Sequence, residues 1–459
     1  MNRKLATFGA AFAVSALALA GCSSGGTTDP GTDSQSETDS GGATQEGASG
    51  DVKLWLIGGD TPDELRTWLQ DEYASRTDGT LKIEEQTWGD IVTKLTTSMP
   101  DPSQTPDVTE VGNTQSPTFT NVGAFMEIDE DFYKELGGDD LLQSFVKVGE
   151  VNGKKYTLPY YFGSRYAFYR KDIWSAAGKD VPKTLEEFNS SVVEITEANP
   201  MNIENFSGFF LGGQDWRNGI SWIFANGGEI AVDEGGTWKG ALDSDATVKG
   251  LEQLQNIYQN ASKAPKDQKD EAPWTFINDE DVEASDDGEK PISLSAATIM
   301  APGWAHWSIG DLVKNDAGDM VREWNDETFG VFALPGDDGK PAPVFAGGSN
   351  IGISAQTQNP EGAKELMRII FSEDFQKMLG ANGLGPANQK YVDSLGDDIF
   401  AKALIESASN SKLTPAAPGW AAVEAAEIME EFFSKIKDST DLKALGAEYN
   451  AKMDPLLNQ

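Results

Sequence analysis

The chain has 459 residues, of which 36 are Lys or Arg and 74 are Asp or Glu, so its formal net charge is −38 at neutral pH. This excess of negative charge repels phosphate backbones and acidic lipid headgroups, which argues against nucleic acid as a partner. A single cysteine excludes an intramolecular disulfide, so stability must come from core burial, and the length suits two domains or two lobes.

The chain begins with the pattern of an export signal. A short basic start is followed by an apolar run from Leu5 to Ala18, which is too short to stay in a bilayer as a spanning helix. Small residues then lead directly into Cys22, the only cysteine. This conjunction resembles the lipobox of bacterial lipoproteins, and the resemblance implies a diacylglyceryl group on the Cys22 sulfur that anchors the protein to the cell membrane. The alternative is a stray or buried cysteine behind an ordinary secretory signal.

The segment after Cys22, up to Gly50, consists almost wholly of Ser, Gly, Thr, Asp, Glu, Gln and Pro. It has no apolar period, and we expect it to be a disordered tether with a mean span on the order of 30 Å.

Alternating strands and helices are predicted next. Val52 to Ile57, Leu81 to Glu85 and Pro106 to Gly112 have the composition of strands, and the segments between them show helical spacing of apolar residues. This order predicts right-handed crossovers and a parallel sheet, whose ligand contacts lie at the carboxyl ends of the strands. The loops expected there are 58–61, 86–90 and 112–116.

Further elements are predicted along the rest of the chain. Phe206 to Gln214 has the composition of a strand, Thr247 to Gln259 that of an amphipathic helix, and Trp420 to Ile436 that of one long helix. Thr328 to Leu334 is expected to be a strand that crosses between lobes. Residues 275–290 are acidic and rich in turn residues, which favours a solvent-exposed loop; calcium binding is the alternative, although the ligand spacing and turn glycine of an EF-hand are missing.

Several stretches of the chain follow one another in an order that is characteristic of one family. They are Tyr156 to Tyr161, Ser164 to Asp172, Val181 to Phe188, Trp222 to Gly228, Ala301 to Trp304, Phe332 to Gly336 and Phe345 to Asn350. In this order they resemble the extracellular solute-binding proteins that serve sugar ABC importers, the group to which maltose-binding protein also belongs. The resemblance implies a periplasmic-binding-protein-like fold: two α/β lobes joined by a hinge, with a ligand cleft between them that closes on binding.

The resemblance also implies a division of the chain. The expected segments are a lipoprotein signal peptide at 1–21, a lipidated tether at 22–50, an N-terminal lobe formed by 51–161 and 334–385, and a C-terminal lobe formed by 162–333 and 386–459.

A sugar site needs flat aromatic surfaces for the C–H faces of the rings and hydrogen-bonding side chains for the hydroxyls. In the first lobe, Trp88 lies on a strand-to-helix loop with no obvious core face to cover, so it belongs either to the cleft wall or to the core. Asn113, Thr114 and Gln115 follow Gly112 at a strand end, and their family position implies polar contacts with the ligand. The alternative for these three residues is turn chemistry.

In the second lobe, Trp304 follows Pro302-Gly303, which favours an indole that projects from a loop. The resemblance implies that this is where a stacking aromatic stands. Trp420 follows Pro418-Gly419 by the same logic, and Trp216 is a third candidate after a glycine pair; core packing is the alternative for all three.

Five further residues are candidates near the hinge. Gly348 belongs to a glycine pair that allows close approach of a ligand to the backbone, and Ser349 and Asn350 offer donors there; a hinge-adjacent turn is the alternative. Arg165 can grip a hydroxyl or close a salt bridge across the hinge. Tyr160 and Tyr161 alternate on a strand, so at most one of them, taken here as Tyr161, is expected to face the cleft.

The predicted protein is a solute-binding component that captures an extracellular oligosaccharide and delivers it to ABC transporter permease subunits. We expect a monomer without catalytic residues, metal or cofactor, held outside the cell by the lipid on Cys22. One alternative is a receptor for another solute such as a polyamine, which the negative charge would suit. The other is a secreted glycoside hydrolase, which needs two carboxyl groups across the scissile bond; among 74 acidic residues such pairs are uninformative.

Overall fold

The computed structural model describes residues 50–279, 294–315 and 318–459. The predicted signal peptide, Cys22 and the tether up to residue 49 lie outside the described residues. So does the part of the predicted acidic loop from residue 280 onward. In the described ranges, no helix has the length and apolar character needed to cross a membrane.

The strands of the described chain are numbered in order. They are β1 (Val52–Ile57), β2 (Leu81–Gln86), β3 (Val108–Gly112), β4 (Glu150–Val151), β5 (Lys154–Lys155), β6 (Thr157–Arg170), β7 (Ala231–Asp233), β8 (Trp238–Gly240), β9 (Thr298–Pro302), β10 (Asp311–Lys314), β11 (Met320–Glu323), β12 (Phe329–Phe332), β13 (Ala346–Ile353) and β14 (Gly385–Pro386).

The α-helices are numbered in the same way. They are α1 (Asp63–Arg76), α2 (Ile91–Ser98), α3 (Ser116–Asn121), α4 (Glu130–Glu135), α5 (Gln143–Val148), α6 (Lys171–Ala176), α7 (Leu185–Ala198), α8 (Trp216–Ala225), α9 (Asp245–Asn260), α10 (Pro360–Ile370), α11 (Glu373–Ala381), α12 (Ile399–Ala408), α13 (Trp420–Ala425), α14 (Ile428–Ile436) and α15 (Leu442–Leu457). Short 3₁₀ helices cover Gly138–Asp140, Pro273–Phe276, Gly303–Ser308 and Gln389–Leu395.

The predicted parallel sheet at the start of the folded body is confirmed. β1 lies between β2 and β3 and is parallel to both. Leu54 and Leu56 pack on one face of β1, whereas Trp55 and Ile57 pack on the other. Burial on both faces explains why this strand is a nearly continuous apolar run and does not alternate with polar residues.

β6 is a single strand of 14 residues that belongs to both halves of the molecule. Its first half pairs antiparallel with β13, which in turn pairs with β3. Its second half pairs antiparallel with β9 and β12. The predicted strand over 328–334 is therefore confirmed as β12, but the expectation that it crosses between the lobes is wrong, because in the described chain it pairs only with the second half of β6.

Two large cores lie on either side of this crossing. In the first lobe, α1, α10 and α11 cover one face of the sheet with Leu65, Leu366 and Phe375 among the buried side chains. In the second lobe, α7, α8, α9 and the C-terminal helices pack around a separate core that includes Trp222. Leu334 and its neighbours up to Phe345 also pack on this second core.

Two predicted elements are wrong. No strand is found over 206–214 in the described chain; this segment makes only an isolated bridge between Ser207 and Ala296. Its amides bond outside any regular ladder, since Phe209 N donates to Ala261 O and Phe210 N to Thr298 O. The segment was taken for a strand because extended backbone and buried apolar side chains give the same sequence pattern.

The expected single helix from Trp420 to Ile436 is two helices, α13 and α14. The break falls at Glu427, whose backbone is left-handed with φ of 50°. No glycine or proline marks this position, so the helical apolar spacing on both sides concealed the break.

Candidate functional site

The first wall of the candidate site is built at the carboxyl ends of β1 and β2, where the sequence predicted it. Asp60 follows β1, and its Oδ2 accepts hydrogen bonds from Trp88 Nε1 at 3.1 Å and from Tyr161 OH at 2.8 Å. Trp88 remains 42% exposed, so its ring is available as a surface. The structure therefore brings two predicted site residues together around a carboxylate that the sequence reasoning did not single out.

Tyr160 and Tyr161 of β6 both contact the loop that follows β1. Tyr161 OH donates to Asp60, and Tyr160 OH lies 2.8 Å from Thr61 Oγ1. The register of β6 against β13 shifts between Ser349 and Asn350, which leaves Tyr160 outside the ladder. The register irregularity lets both side chains approach the same loop, but Tyr160 is fully buried and packs against Phe375, so the expectation that at most one of the two faces the cleft stays a prediction.

The chemistry of Asp60 is set by its neutral surroundings. Partial burial raises the pKa of its carboxyl, while the donated hydrogen bonds of Tyr161 and Trp88 and the charge of Arg66 lower it, and the burial effect prevails. Arg66 itself is bonded to Glu85 Oε2 at 2.7 Å and to backbone oxygens, including Gly58 O. Asp60 is thus held by uncharged donors in a site that disfavours extra negative charge.

The end of β3 is tightly packed against this wall. A Cβ atom added to Gly112 would lie 2.0 Å from Gln115 Oε1 and 3.0 Å from Trp88 Cζ3. Only a glycine leaves room for both side chains to meet at this point. Gly112 also pairs with Ser349 of β13, whose hydroxyl is fully buried.

The second wall is an ionic network in the other lobe. Arg165 Nη2 binds Asp270 Oδ2 at 2.8 Å, and Arg165 Nη1 donates to Asn218 Oδ1 at 3.3 Å. Asp215 caps α8 by accepting from Asn218 N, and its other oxygen accepts from Asn218 Nδ2 at 2.6 Å. Arg165 thus forms a salt bridge, but within the second lobe and not across the hinge as expected, and its role at a ligand stays a prediction.

The two acids of this network are affected in opposite directions. For Asp215, burial and the nearby charge of Asp270 raise the pKa, and Arg165 offsets only part of the rise. For Asp270, burial alone would raise the pKa, but Arg165 and Arg217 outweigh it and the pKa is lowered. Asp270 is therefore the anionic member of the pair.

Glu424 of α13 joins the two walls. Its Oε2 accepts from Thr114 Oγ1 at 3.1 Å and from Gln115 Nε2 at 3.4 Å, both from the first lobe. On its own lobe, its Oε1 lies 3.8 Å from Arg217 Nη2, and Arg217 Nη1 lies 3.9 Å from Asp270 Oδ1. Burial raises the pKa of Glu424, with Arg217 opposing the rise. A second link is the hydrogen bond from Thr118 Oγ1 to Pro418 O at 2.7 Å.

Trp304 provides an exposed aromatic surface beside the second wall. It stands in the 3₁₀ helix that follows β9, and Pro302 at the end of β9 pairs with Arg165. The indole is 53% exposed and meets the edge of Trp274 at a centroid distance of 5.1 Å. The prediction that Trp304 projects from the fold is confirmed, and Trp274 supports its ring.

Other predicted site residues have their side chains in internal contacts. Trp216 and Trp420 are buried and meet edge to face at 6.2 Å. Asn113 Nδ2 donates to Ala346 O, and Asn350 Nδ2 donates to Phe145 O. Their role as ligand contacts stays a prediction.

Gly348 has a structural reason to be glycine. Its φ is 123°, and a Cβ atom there would lie 2.4 Å from Tyr161 O. The residue therefore allows β13 to approach β6 closely, and its role at a ligand also stays a prediction.

Asp60, Arg217, Asp270 and Glu424 were missed by the sequence reasoning. Asp60 lies in a loop that was expected to carry ligand contacts, so its position was a usable signal. The other three are single charged residues in a strongly charged chain, and nothing local distinguishes them. In the described ranges, no group of three or more His, Cys, Asp or Glu side chains is arranged as a metal site.

Two α/β lobes, a shared sheet strand and polar walls that meet across a cleft define the class of periplasmic-type solute-binding proteins. A family model described as bacterial extracellular solute-binding protein matches residues 68–406, and the chain belongs to this family. The predicted resemblance is confirmed, and membership places the protein outside the cytoplasm.

Individual relatives support the same assignment. The diacetylchitobiose binding protein DasA of Streptomyces coelicolor is 30% identical over 396 residues, which is 85% of each chain. Among solved structures, the sugar-binding protein MalE from Xanthomonas citri has a TM-score of 0.72 at 19% identity, covering 89% of this chain and 97% of that one. The GacH receptor of Streptomyces glaucescens, solved unliganded and with acarbose, has a TM-score of 0.66 at 18% identity, covering 89% and 98%. The structural matches establish the fold, and these relatives are binding proteins, not enzymes.

Proposed function

We propose that the protein is the solute-binding component of an ABC importer and that it captures an extracellular oligosaccharide between its lobes for delivery to a permease. Two observations carry this proposal: each lobe has an exposed indole, Trp88 or Trp304, and hydrogen bonds from Thr114 and Gln115 to Glu424 join polar side chains of the two lobes. Indole faces suit the apolar faces of sugar rings, and carboxylates and amides suit their hydroxyls. The protein performs no bond chemistry in this proposal.

Diacetylchitobiose is the first ligand to test. A relative named for binding it covers 85% of this chain, and acetamido N–H groups are donors that suit the carboxylates of Asp60, Asp270 and Glu424. The alternative of a polyamine is less favoured, because Asp270 is already paired with Arg165 and Arg217.

Binding is proposed to proceed in two steps. Ligand hydroxyls first bond to the polar residues at the ends of β1 and β3, and the second lobe then closes so that Trp304 stacks on a ring. The permease recognises the closed form, and the ligand shifts the balance only by its differential affinity for that form.

A thermal-shift screen tests the proposal. The panel contains diacetylchitobiose, maltose, tri- and tetrasaccharides of both series, and spermidine. A binder gains stability in proportion to the logarithm of ligand excess over Kd. A shift with spermidine alone would favour the polyamine alternative, and release of smaller sugars from the panel would favour a hydrolase.

We also propose that Cys22 carries the lipid that anchors the protein and that the protein acts as a monomer. Its lobes are proposed to follow the predicted division except at 334–345, where buried side chains pack on the second core. Support comes from the sole cysteine behind an export signal. A Cys22→Ser variant should be recovered from the medium, whereas the wild-type protein should stay with the membrane fraction. Recovery of the variant in the membrane fraction would contradict the anchor.

A further inference from the structure

We infer that Glu110 is a positioning residue for the ligand-binding loop of the first lobe, that it works as a neutral acid, and that its ionisation weakens ligand binding. This inference rests on the proposed function for its ligand readout, but it also makes a claim about the ligand-free protein. Glu110 is in β3 and is 0% exposed.

The geometry begins with the divergence of two strands. β1 and β3 pair at only two positions, Leu54 with Val108 and Trp55 with Thr109. Beyond that point, Ile57 N donates to Glu110 Oε2 at 2.8 Å instead of to a strand carbonyl. The side chain of Glu110 thus holds the end of β1 three residues before Asp60, which is where the first wall of the site begins.

Among the residues that the structure describes, polar groups surround Glu110 and no cation pairs with it. Its strongest influences besides Ile57 N are Ser349, Asp60 and Tyr161, and none of these carries a positive charge. Glu110 Oε1 and Ser349 Oγ are both buried without a hydrogen-bond partner in the structure. Complete burial without a paired cation disfavours the ionised carboxyl, and a neutral acid can still accept from Ile57 N through Oε2.

The titratable groups that face Glu110 come from β6 and from the loop after β1. β6 contributes Tyr160 and Tyr161, and the loop after β1 contributes Asp60. β13 contains no titratable residue, and β1 contributes only Lys53 near its far end. The nearby Arg66 is engaged with Glu85.

Burial is the main cause that raises the pKa of Glu110, to about 8, with the charge of Asp60 adding to the rise and the hydroxyls of Ser349 and Tyr161 opposing it. An ionised Glu110 would be a buried carboxylate close to a second one, which is unfavourable without a cation. It would repel Asp60 and disturb the Tyr161 and Trp88 bonds that position Asp60 for a ligand.

The raised pKa of Glu110 makes the folded protein less stable as the pH rises. The carboxyl of Glu110 has a pKa near 4.5 when unfolded and about 8 when folded, so the folded state holds the extra proton between these limits. Its contribution to the free energy of unfolding is therefore fully present below the unfolded pKa and is lost as the pH rises through the folded pKa.

The experiment compares wild-type protein with Glu110→Gln and with Glu361→Gln, a matched control whose side chain is 66% exposed on α10. Thermal unfolding without ligand is measured from about pH 6 to pH 9, and diacetylchitobiose affinity is measured by calorimetry over the same range. Wild-type and control affinity should fall by about tenfold per pH unit above pH 8, and their unfolding temperature should fall with rising pH. Glu110→Gln should remove the affinity slope and reduce the slope of the unfolding temperature, because a neutral amide keeps the acceptor for Ile57 N and does not ionise.

Asp215 needs separate treatment, because its pKa is also raised. The measurements are therefore repeated with the Asp215→Asn variant and with the double variant Asp215→Asn, Glu110→Gln. The pH slopes of affinity and unfolding temperature that are assigned to Glu110 must persist in Asp215→Asn and disappear in the double variant. A Glu110→Leu variant, which lacks the acceptor, should bind at least tenfold more weakly than Glu110→Gln at every pH.

Two outcomes would overturn the inference: a Glu110→Gln protein with wild-type slopes in both measurements, or a Glu110→Leu protein that binds as tightly as Glu110→Gln. If Glu110→Gln does not fold, infrared spectra of the wild-type protein decide the matter. A neutral Glu110 should give a carboxylic acid band at neutral pH that disappears near pH 8, and the absence of such a band would contradict the inference. If no sugar on the panel binds wild-type protein, the proposed function fails, while the unfolding series still tests the buried acid.

Discussion

The two walls of the cleft both present carboxyl groups, but they hold them by different means. In the first lobe, Asp60 is held by an indole N–H and a phenol O–H. In the second lobe, Asp270 is held by the guanidinium groups of Arg165 and Arg217. Burial prevails in the first case and raises the pKa of Asp60, whereas the cations prevail in the second and lower the pKa of Asp270.

The different ways of holding the carboxyl groups give the two walls different roles. In the second wall, the charge of Asp270 is compensated before any ligand arrives, because the close pair with Arg165 fixes this carboxylate in place. The first wall relies on neutral donors, and a sugar hydroxyl can add to such an arrangement without breaking an ion pair. We therefore expect mutations in the second wall to act mainly on folding and mutations in the first wall to act mainly on ligand affinity.

The largest effect is expected from breaking the second wall. Arg165→Met removes the cation between Asp215 and Asp270, both largely buried, and should lower the free energy of unfolding by about 3 kcal/mol. Chemical denaturation measures it. Arg76→Met, which breaks partly exposed pairs with Glu72 and Glu365, should cost about 1 kcal/mol or less. Adding Asp270→Asn to Arg165→Met should restore part of the loss; no restoration would contradict the ionic interpretation.

The next effect concerns the aromatic surface of the second lobe. Trp304→Ala should weaken sugar binding by about tenfold or more without changing the unfolding temperature, because one desolvated stacking surface is lost. Calorimetry with the sugar identified in the screen measures it. Trp307 is in the same 3₁₀ helix and is 74% exposed, so Trp307→Ala is the matched control and should change affinity by less than about twofold. Equal affinities for wild-type protein and Trp304→Ala would remove Trp304 from the site.

A smaller effect is expected in the first wall. Tyr161→Phe removes one of the two donors to Asp60 and should reduce sugar affinity by about fivefold, which corresponds to one hydrogen bond of roughly 1 kcal/mol. Because no ion pair is broken, the loss of stability should be much smaller than for Arg165→Met. A Tyr161→Phe protein that is as unstable as Arg165→Met would mean that the two walls do not differ in the way described.

The smallest effect tests the contact between the walls. Thr118→Val removes the hydrogen bond to Pro418 O and should shift the lobes toward the open form, with about a threefold loss of affinity. Solution scattering of the ligand-free protein should show a larger radius of gyration. Thr67→Val, which removes only a bond to Asp63 O within α1, is the control and should leave the scattering unchanged.

Much of the fold was predictable because burial on both faces leaves a clear apolar pattern in strands such as β1. The site was less predictable, as two matching local patterns show. Pro302-Gly303-Trp304 and Pro418-Gly419-Trp420 have the same residues, yet Trp304 is 53% exposed and Trp420 is 0% exposed. A Cβ atom on Gly419 would lie 1.8 Å from Leu456 O, so the second turn is pressed against the last helix. That contact joins residues far apart along the chain and leaves no local signal.

The wall acids were unpredictable for a related reason. Asp270 and Glu424 meet through Arg217, although the three are distant from one another in sequence. Only the packed chain decides which of many carboxylates face a common cation. Asp60 is the exception, because the end of a parallel strand is a position at which polar residues can be expected to meet a ligand.

The pairing of β3 with β13 has a consequence for how the protein acquires its structure. The strand that completes the sheet beside Val108–Gly112 is Ala346–Ile353, more than two hundred residues later in the chain. A nascent or translocating chain that ends before this strand cannot close the N-terminal sheet, and contacts of such high sequence separation slow folding. We therefore expect the polypeptide to remain export-competent through most of its synthesis and to fold as a unit only after its final third has emerged.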